Sequence, residues 1–272
     1  MLTNKTIAFI GGGNMAQALL KGLLDFGVVA GNIKVCEPNL QKQKQIIQQY
    51  AVTVSGNSAD VVTGVDAVLI AVKPGVVPLV LAEIAPLLDK DTLIISIAAG
   101  VSMATIAGEL KSGQPIVRVM PNTPALIGAG ISVIYADKEL QEAKLELARQ
   151  IMAAVGDVDE VADEALLDGV TALSGSGPAY IYLIAEALSD GGVSCGLPRP
   201  LADKLAVKTL IGSARLIEES GEHPAVLKNQ VTSPGGTTIA AVAQLERSGL
   251  RSALIDGVRA AWQRSVELSK QS

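Results

Sequence analysis

A short apolar run that opens directly into three consecutive glycines constrains this chain more than any other segment. Thr6-Ile7-Ala8-Phe9-Ile10 has the unbroken apolar pattern of a strand buried in a parallel sheet. It enters Gly11-Gly12-Gly13-Asn14-Met15-Ala16, which fits G-x-G-x-x-[GA], and Ala16, Leu19, Leu20, Leu23 and Leu24 then recur at helical spacing. Strand, glycines and helix in that order suit a dinucleotide pyrophosphate, because the helix start aims free N–H groups and a positive dipole end at one spot. Gly11 makes the tight turn, Gly13 lets the pyrophosphate reach the backbone, and Ala16 keeps the helix close to the strand. Asn14 and Met15, the residues between, join the same cofactor-binding set.

The alternation continues. Ile33-Lys34-Val35-Cys36 is a second strand ending at Glu37, where an acidic side chain binds the adenosine ribose hydroxyls and disfavours the extra phosphate of NADP. Asn39, Lys42 and Lys44 stand near enough in sequence to offset that charge, and a solvated helix-start carboxylate is the competing reading of Glu37. Further strands are expected over residues 66–72, ending in Lys73-Pro74-Gly75, over 92–97, ending in Ala98-Ala99-Gly100, and over 116–120, running into Pro121-Asn122-Thr123-Pro124. A doubly wound parallel sheet binds its ligand beyond the carboxyl ends of its strands. Those ends here carry Gly11 to Ala16, Glu37, Ala71, Val72, Lys73, Pro74, Ala98, Ala99 and Asn122, which should line one crevice. Lys73 reads as a cofactor contact rather than a catalyst, since Pro74 fixes its loop.

Composition removes several function classes. The net charge of -5 has no basic run, and aromatics are only 3%, so neither phosphate tracking nor base stacking on nucleic acid is supported. The apolar runs are short and strand-like, so no membrane span is expected. Cys36 and Cys195 are too few for a disulfide framework or a cysteine zinc site, and the expected setting is cytoplasmic. His223 is the lone histidine and sits at a turn before a helix, so a capping role is expected and no metal site. Chemistry must rest on a cofactor, hydroxyls and backbone dipoles.

From about Asp163 the strand pattern gives way to helices, which places a dinucleotide-binding domain over residues 1–162 and an all-helical domain over 163–272. Ser174-Gly175-Ser176-Gly177-Pro178 interrupts the helical pattern, Ala179 to Leu188 continues as a helix closed by Asp190-Gly191-Gly192, and Leu201 to Ile217 is another. These helices are apolar and poor in charge, which favours burial against a second subunit over packing within one chain. Near the end, Ser233-Pro234-Gly235-Gly236-Thr237-Thr238 reads as a second Gly-rich helix start. It is either an anion site with added hydroxyl donors or an ordinary Ser- or Thr-capped helix.

Taken together and in order, these segments resemble the pyrroline-5-carboxylate reductase family. The segments that carry it are Gly11 to Ala16, Ala71-Val72-Lys73-Pro74, Ser96 to Gly100, Met120 to Pro124, Ser174 to Tyr180 and Ser233 to Thr238. The resemblance implies a Rossmann-like domain followed by an all-α dimerisation domain, and NADP(H)- or NAD(H)-dependent reduction of a cyclic imine to L-proline. It implies a homodimer through the helical domain, often within a larger ring such as a decamer. It also implies that the Thr238 hydroxyl meets the substrate ring nitrogen and that Gly236 and Thr237 give backbone donors to the carboxylate; Ser233 and Gly235 join the substrate site as parts of the same Gly-rich turn, and Ser176 is assigned to it as well. Asn57 falls at the adenosine side and Gln230 near the cofactor. Glu37 departs from the family's usual Ser or Thr and leaves NADH and NADPH both open. The rival readings are a β-hydroxyacid dehydrogenase, whose catalytic lysine is absent from Ala179 to Ser189, and a non-catalytic dinucleotide sensor.

Overall fold

The computed structural model describes residues 2–271. Eight strands form one sheet: β1 (Ile7–Ile10), β2 (Ile33–Cys36), β3 (Thr53–Ser55), β4 (Ala67–Ile70), β5 (Leu93–Ser96), β6 (Ile116–Met120), β7 (Gly130–Ala136) and β8 (Gly156–Glu160). The spatial order is β3-β2-β1-β4-β5-β6-β7-β8. The strand order therefore reverses at β1 and β4, which is where such sheets open a binding crevice. Pairing is parallel from β3 through β6, antiparallel between β6 and β7, and parallel again between β7 and β8.

The apolar run of β1 is continuous because both of its faces are covered. Ile7 and Phe9 enter one core with Leu19, Leu20 and Leu23 of α1 (Asn14–Asp25). Ala8 and Ile10 enter the other, with Val61 and Val62 of α3 (Ala59–Val62), which follows α2 (Leu40–Tyr50). That second core also takes Leu81 and Ile84 of α4 (Val77–Ile84) and Ile106 of α5 (Met103–Gly108). Removing each such large apolar side chain from water is worth about 1.5–3 kcal/mol. On the first face α6 (Glu142–Ala153) adds Ala148, Ile151 and Met152.

The doubly wound core matches the sequence reading, and the wholly parallel expectation is corrected at one edge. β7 runs antiparallel to β6, and the polar Gly156–Glu160 stretch pairs beyond it. An edge strand with one face toward solvent tolerates that polarity, so no apolar run marks it.

The chain forms two compact units, one of residues up to 176 together with those from 261 onward, the other of residues 177–260. In α7 (Leu166–Val170) Leu167 is buried, and Glu164 just before it accepts from the Arg118 guanidinium and from the Met103 amide. Asp168 Oδ1 accepts from Ser265 Oγ at 2.6 Å and Ser269 Oγ at 3.1 Å, which holds the chain's last residues in the same unit. The segment expected to break the helix instead widens it into a π turn over Thr171–Gly175, with the Ser174 and Thr171 hydroxyls bonded back to Val170 O and Leu167 O.

The second unit is helical: α8 (Gly177–Ser194), α9 (Arg199–Ser220), α10 (Pro224–Gln230), α11 (Thr237–Arg247) and the first part of α12 (Leu250–Gln271). α8 runs through Asp190-Gly191-Gly192 rather than stopping there. A Cβ on Gly192 would meet Ala202 Cβ at 3.1 Å, so the glycine is a contact residue between α8 and α9 and not a stop. His223 takes the N-cap of α10, its Nδ1 accepting from Ala225 N at 3.2 Å. Ala202 and Ala206 are buried, while Tyr182 (64% exposed), Leu183 (67%), Leu205 and Ile211 face outward. Among the described residues no helix is long and apolar enough to cross a membrane.

Candidate functional site

The register brings the expected cofactor residues to one edge of the sheet. Ile10 stands opposite Cys36 and Ile70, and Ile70 opposite Ser96, so β1, β2, β4 and β5 end side by side. Gly11, Glu37, Ala71 and Ala98 follow within a few residues of those ends, and Asn122 follows β6.

Gly11 has φ +102°, its N–H donates to Cys36 O at 2.9 Å, and a Cβ there would strike the Ala71 carbonyl oxygen at 2.6 Å. Only glycine combines that left-handed backbone with so close an approach. Gly12, the unspecified position of the motif, is equally tight: a Cβ would meet Ile46 Cδ1 at 2.6 Å, and its N–H donates to Glu37 Oε2 at 3.1 Å. Sequence reasoning passed over Gly12, although the third glycine in the run was a signal for it. Gly13 differs, because nothing lies within 4 Å of its would-be Cβ. It is the N-cap of α1 with no side-chain capping bond, so the first amides, at Asn14, Met15 and Ala16, have no cap. Ala16 is buried against the core. An open glycine beside an uncapped helix start fits a pyrophosphate.

Glu37 is only 6% exposed. Its second oxygen, Oε1, accepts from Asn39 N at 2.9 Å, and Gln43 Nε2 donates to its carbonyl at 2.6 Å. Asn39 caps α2 through Gln41 N and Lys42 N. Burial, then the charges of Glu83, Glu37 and Asp60, push the Cys36 thiol above its ordinary pKa. Asn57 is exposed after β3, its Oδ1 accepting from Ala59 N at 3.1 Å. Lys73 is exposed at the start of a short 3-10 turn, and Asn122 Oδ1 accepts from Ile131 N at 3.0 Å.

In the second unit, Gly235 has φ +67° and Gly236 is the N-cap of α11, again with no side-chain capping bond. The Ser- or Thr-capped alternative therefore does not describe this helix start. The expected donor at Gly236 needs correction: its N–H donates to Ser233 O at 3.1 Å. That turn bond moves the free donors one residue on, to the amides of Thr237 and Thr238. The side chains of Thr237 and Ser233 are exposed, Thr238 is half-buried, and Gln230 ends α10 a few residues earlier. Ser176 lies in the first unit, where its N–H closes the π turn on Thr171 O at 2.8 Å. Among the described residues no group of His, Cys, Asp and Glu is placed to hold a metal ion.

A family model described as pyrroline-5-carboxylate reductase dimerisation matches residues 164–268, and one described as NADP oxidoreductase, coenzyme F420-dependent, matches residues 6–100. The chain is 48% identical over 269 residues to a pyrroline-5-carboxylate reductase of Synechocystis sp., covering 97% of this chain and 98% of that one. It is 39% identical to the Escherichia coli pyrroline-5-carboxylate reductase over 98% of this chain and 99% of the other. Among solved structures, a pyrroline-5-carboxylate reductase from Coxiella burnetii superposes with a TM-score of 0.91 at 38% identity, covering 97% of this chain and 98% of that one. A Plasmodium falciparum pyrroline carboxylate reductase with NADP bound gives 0.89 at 30% identity, over 98% and 99%.

Proposed function

The chain belongs to the pyrroline-5-carboxylate reductase family, and from that premise we propose how its residues carry out the NAD(P)H-dependent reduction of 1-pyrroline-5-carboxylate to L-proline. The observation that carries the residue assignment is the presence of two Gly-rich, uncapped helix starts in one chain, at Gly11 to Ala16 and at Gly235 to Thr238.

The first start holds the dinucleotide pyrophosphate on the amides beyond Gly13. Glu37 and Asn57 face the adenosine side, Ala71 to Pro74, Ala98, Ala99 and Asn122 continue the same edge, and Gln230 is assigned near the cofactor. When bound, the reduced nicotinamide supplies the hydride that the imine carbon accepts. The second start holds the substrate carboxylate on the Thr237 and Thr238 amides, helped by the positive dipole end of α11. Thr238 is the catalytic residue: its Oγ1 accepts from the protonated ring nitrogen and fixes which way the C=N bond faces. Ser233 adds its hydroxyl to this start, and Ser176 is assigned to the substrate. A protonated imine is already electrophilic, so the protein's part is positioning and electrostatics rather than acid catalysis by a strong acid.

The helical unit is assigned as a homodimer interface. Its exposed apolar side chains on α8 and α9, with Ala202 and Ala206 as its buried apolar residues, support this, since so small an interior leaves those faces in need of a partner. A ring of dimers in the cytoplasm completes the reading. Oxidation of NADH or NADPH by the chain, followed optically with pyrroline-5-carboxylate, tests the assignment. Turnover with stoichiometric proline is expected. Dinucleotide binding without turnover would favour the sensor reading.

A further inference from the structure

Resting on the dinucleotide reading above, we propose that this chain selects NADH over NADPH and that Glu37 is the specificity-determining residue.

The carboxylate is fixed in place. Gly12 N donates to Oε2 at 3.1 Å and Asn39 N to Oε1 at 2.9 Å, while Gln43 holds the backbone carbonyl at 2.6 Å. Swinging the side chain aside to admit a phosphate would strand the buried Gly12 N–H without an acceptor. Each carboxylate oxygen keeps a further lone pair. A ribose 2′-hydroxyl can donate to one of these. A 2′-phosphate cannot, because it brings only acceptor oxygens and about two negative charges.

Among the described residues no lysine or arginine pairs with Glu37, and Lys42 and Lys44 extend from exposed positions on α2. Two hydroxyls at the end of β3 and just after it are committed to acids: Ser55 Oγ donates to Asp60 Oδ2 at 2.6 Å, and the buried Ser58 Oγ donates to Glu83. Glu83, Glu37 and Asp60 all raise the pKa of the adjacent Cys36 thiol, after its burial, so the charge gathered about the end of β2 is negative.

The test measures dissociation constants of NADH and NADPH by titration calorimetry on the full-length chain, on Glu37→Ser and on the isosteric Glu37→Gln. The native chain should bind NADH about 10- to 100-fold more tightly than NADPH. Both variants should narrow that ratio at least about tenfold, chiefly by tightening NADPH, and added salt should narrow it in the native chain. Equal or tighter NADPH binding by the native chain would overturn the proposal. So would an unchanged ratio in both variants, including a parallel loss of both affinities, which would mark Glu37 as only a brace for Gly12. Failure of the native chain to bind either dinucleotide would instead strike the underlying dinucleotide reading, and this proposal with it.

Discussion

The two Gly-rich helix starts share a pattern but not a construction. At Gly11 to Ala16 the surrounding fold fixes the turn: Gly11 N donates to Cys36 O, Gly12 N to Glu37, and Gln17 Nε2 donates back to Gly12 O at 2.9 Å. At Ser233 to Thr238 the turn holds itself, through Gly236 N to Ser233 O, and α11 has no buried residue. The first start is built by the interior of a single chain. The second is preformed locally but framed by little of its own unit, which is what a site completed by another subunit would look like. The lesson is that a motif's ligand geometry is legible only to the extent that the chain's own core enforces it.

Substitutions can break or sharpen this contrast. The largest effect is expected at Gly11→Ala. The methyl meets a backbone carbonyl at 2.6 Å in a left-handed conformation, so nothing flexible can yield. Strain of about 3 kcal/mol there lowers the unfolding midpoint in thermal scans, and displacement of the turn from the pyrophosphate should cost roughly 100-fold in dinucleotide affinity by calorimetry. Gly236→Ala should be milder. Its methyl meets Ser233 Oγ, a side-chain end that can rotate away, and its φ of -77° is open to any residue. The proposed carboxylate site then loses room, and KM for the imine should rise about tenfold, the loss of one charged hydrogen bond, with dinucleotide affinity unchanged. Gly235→Ala should be the smallest: φ is +67° but nothing lies within 4 Å, so the backbone penalty is about 1–2 kcal/mol. An unfolding midpoint lowered by about 2–4 °C would register it. If Gly236→Ala weakened the dinucleotide as much as Gly11→Ala does, the division of labour between the two starts would fail.

Much of this was legible in the residues. β2 and β6 fall where the apolar runs placed them. The edge was not legible, because β8 is polar and β3 is three residues long, and neither carries a periodic signal. The ties that hold α7 were hidden for a different reason: Arg118, Ser265 and Ser269, the partners of Glu164 and Asp168, are distant in sequence and are brought to them only by the fold. Glu37 was visible as an acid at a strand end, but its bond to Gly12, which holds the charge in place, required the fold. At the second start the sequence showed the glycines and threonines. It did not show that Gly236 gives its amide to the turn and leaves Thr237 and Thr238 as the free donors.

The central claim is that the second start carries the chemistry through one hydroxyl. The turnover number of Thr238→Ala with saturating pyrroline-5-carboxylate tests it most directly. The account predicts a fall of about 10- to 100-fold, the effect of removing one positioned polar group, with dinucleotide affinity as in the native chain. An unchanged turnover number and KM would contradict it and remove Thr238 from the mechanism.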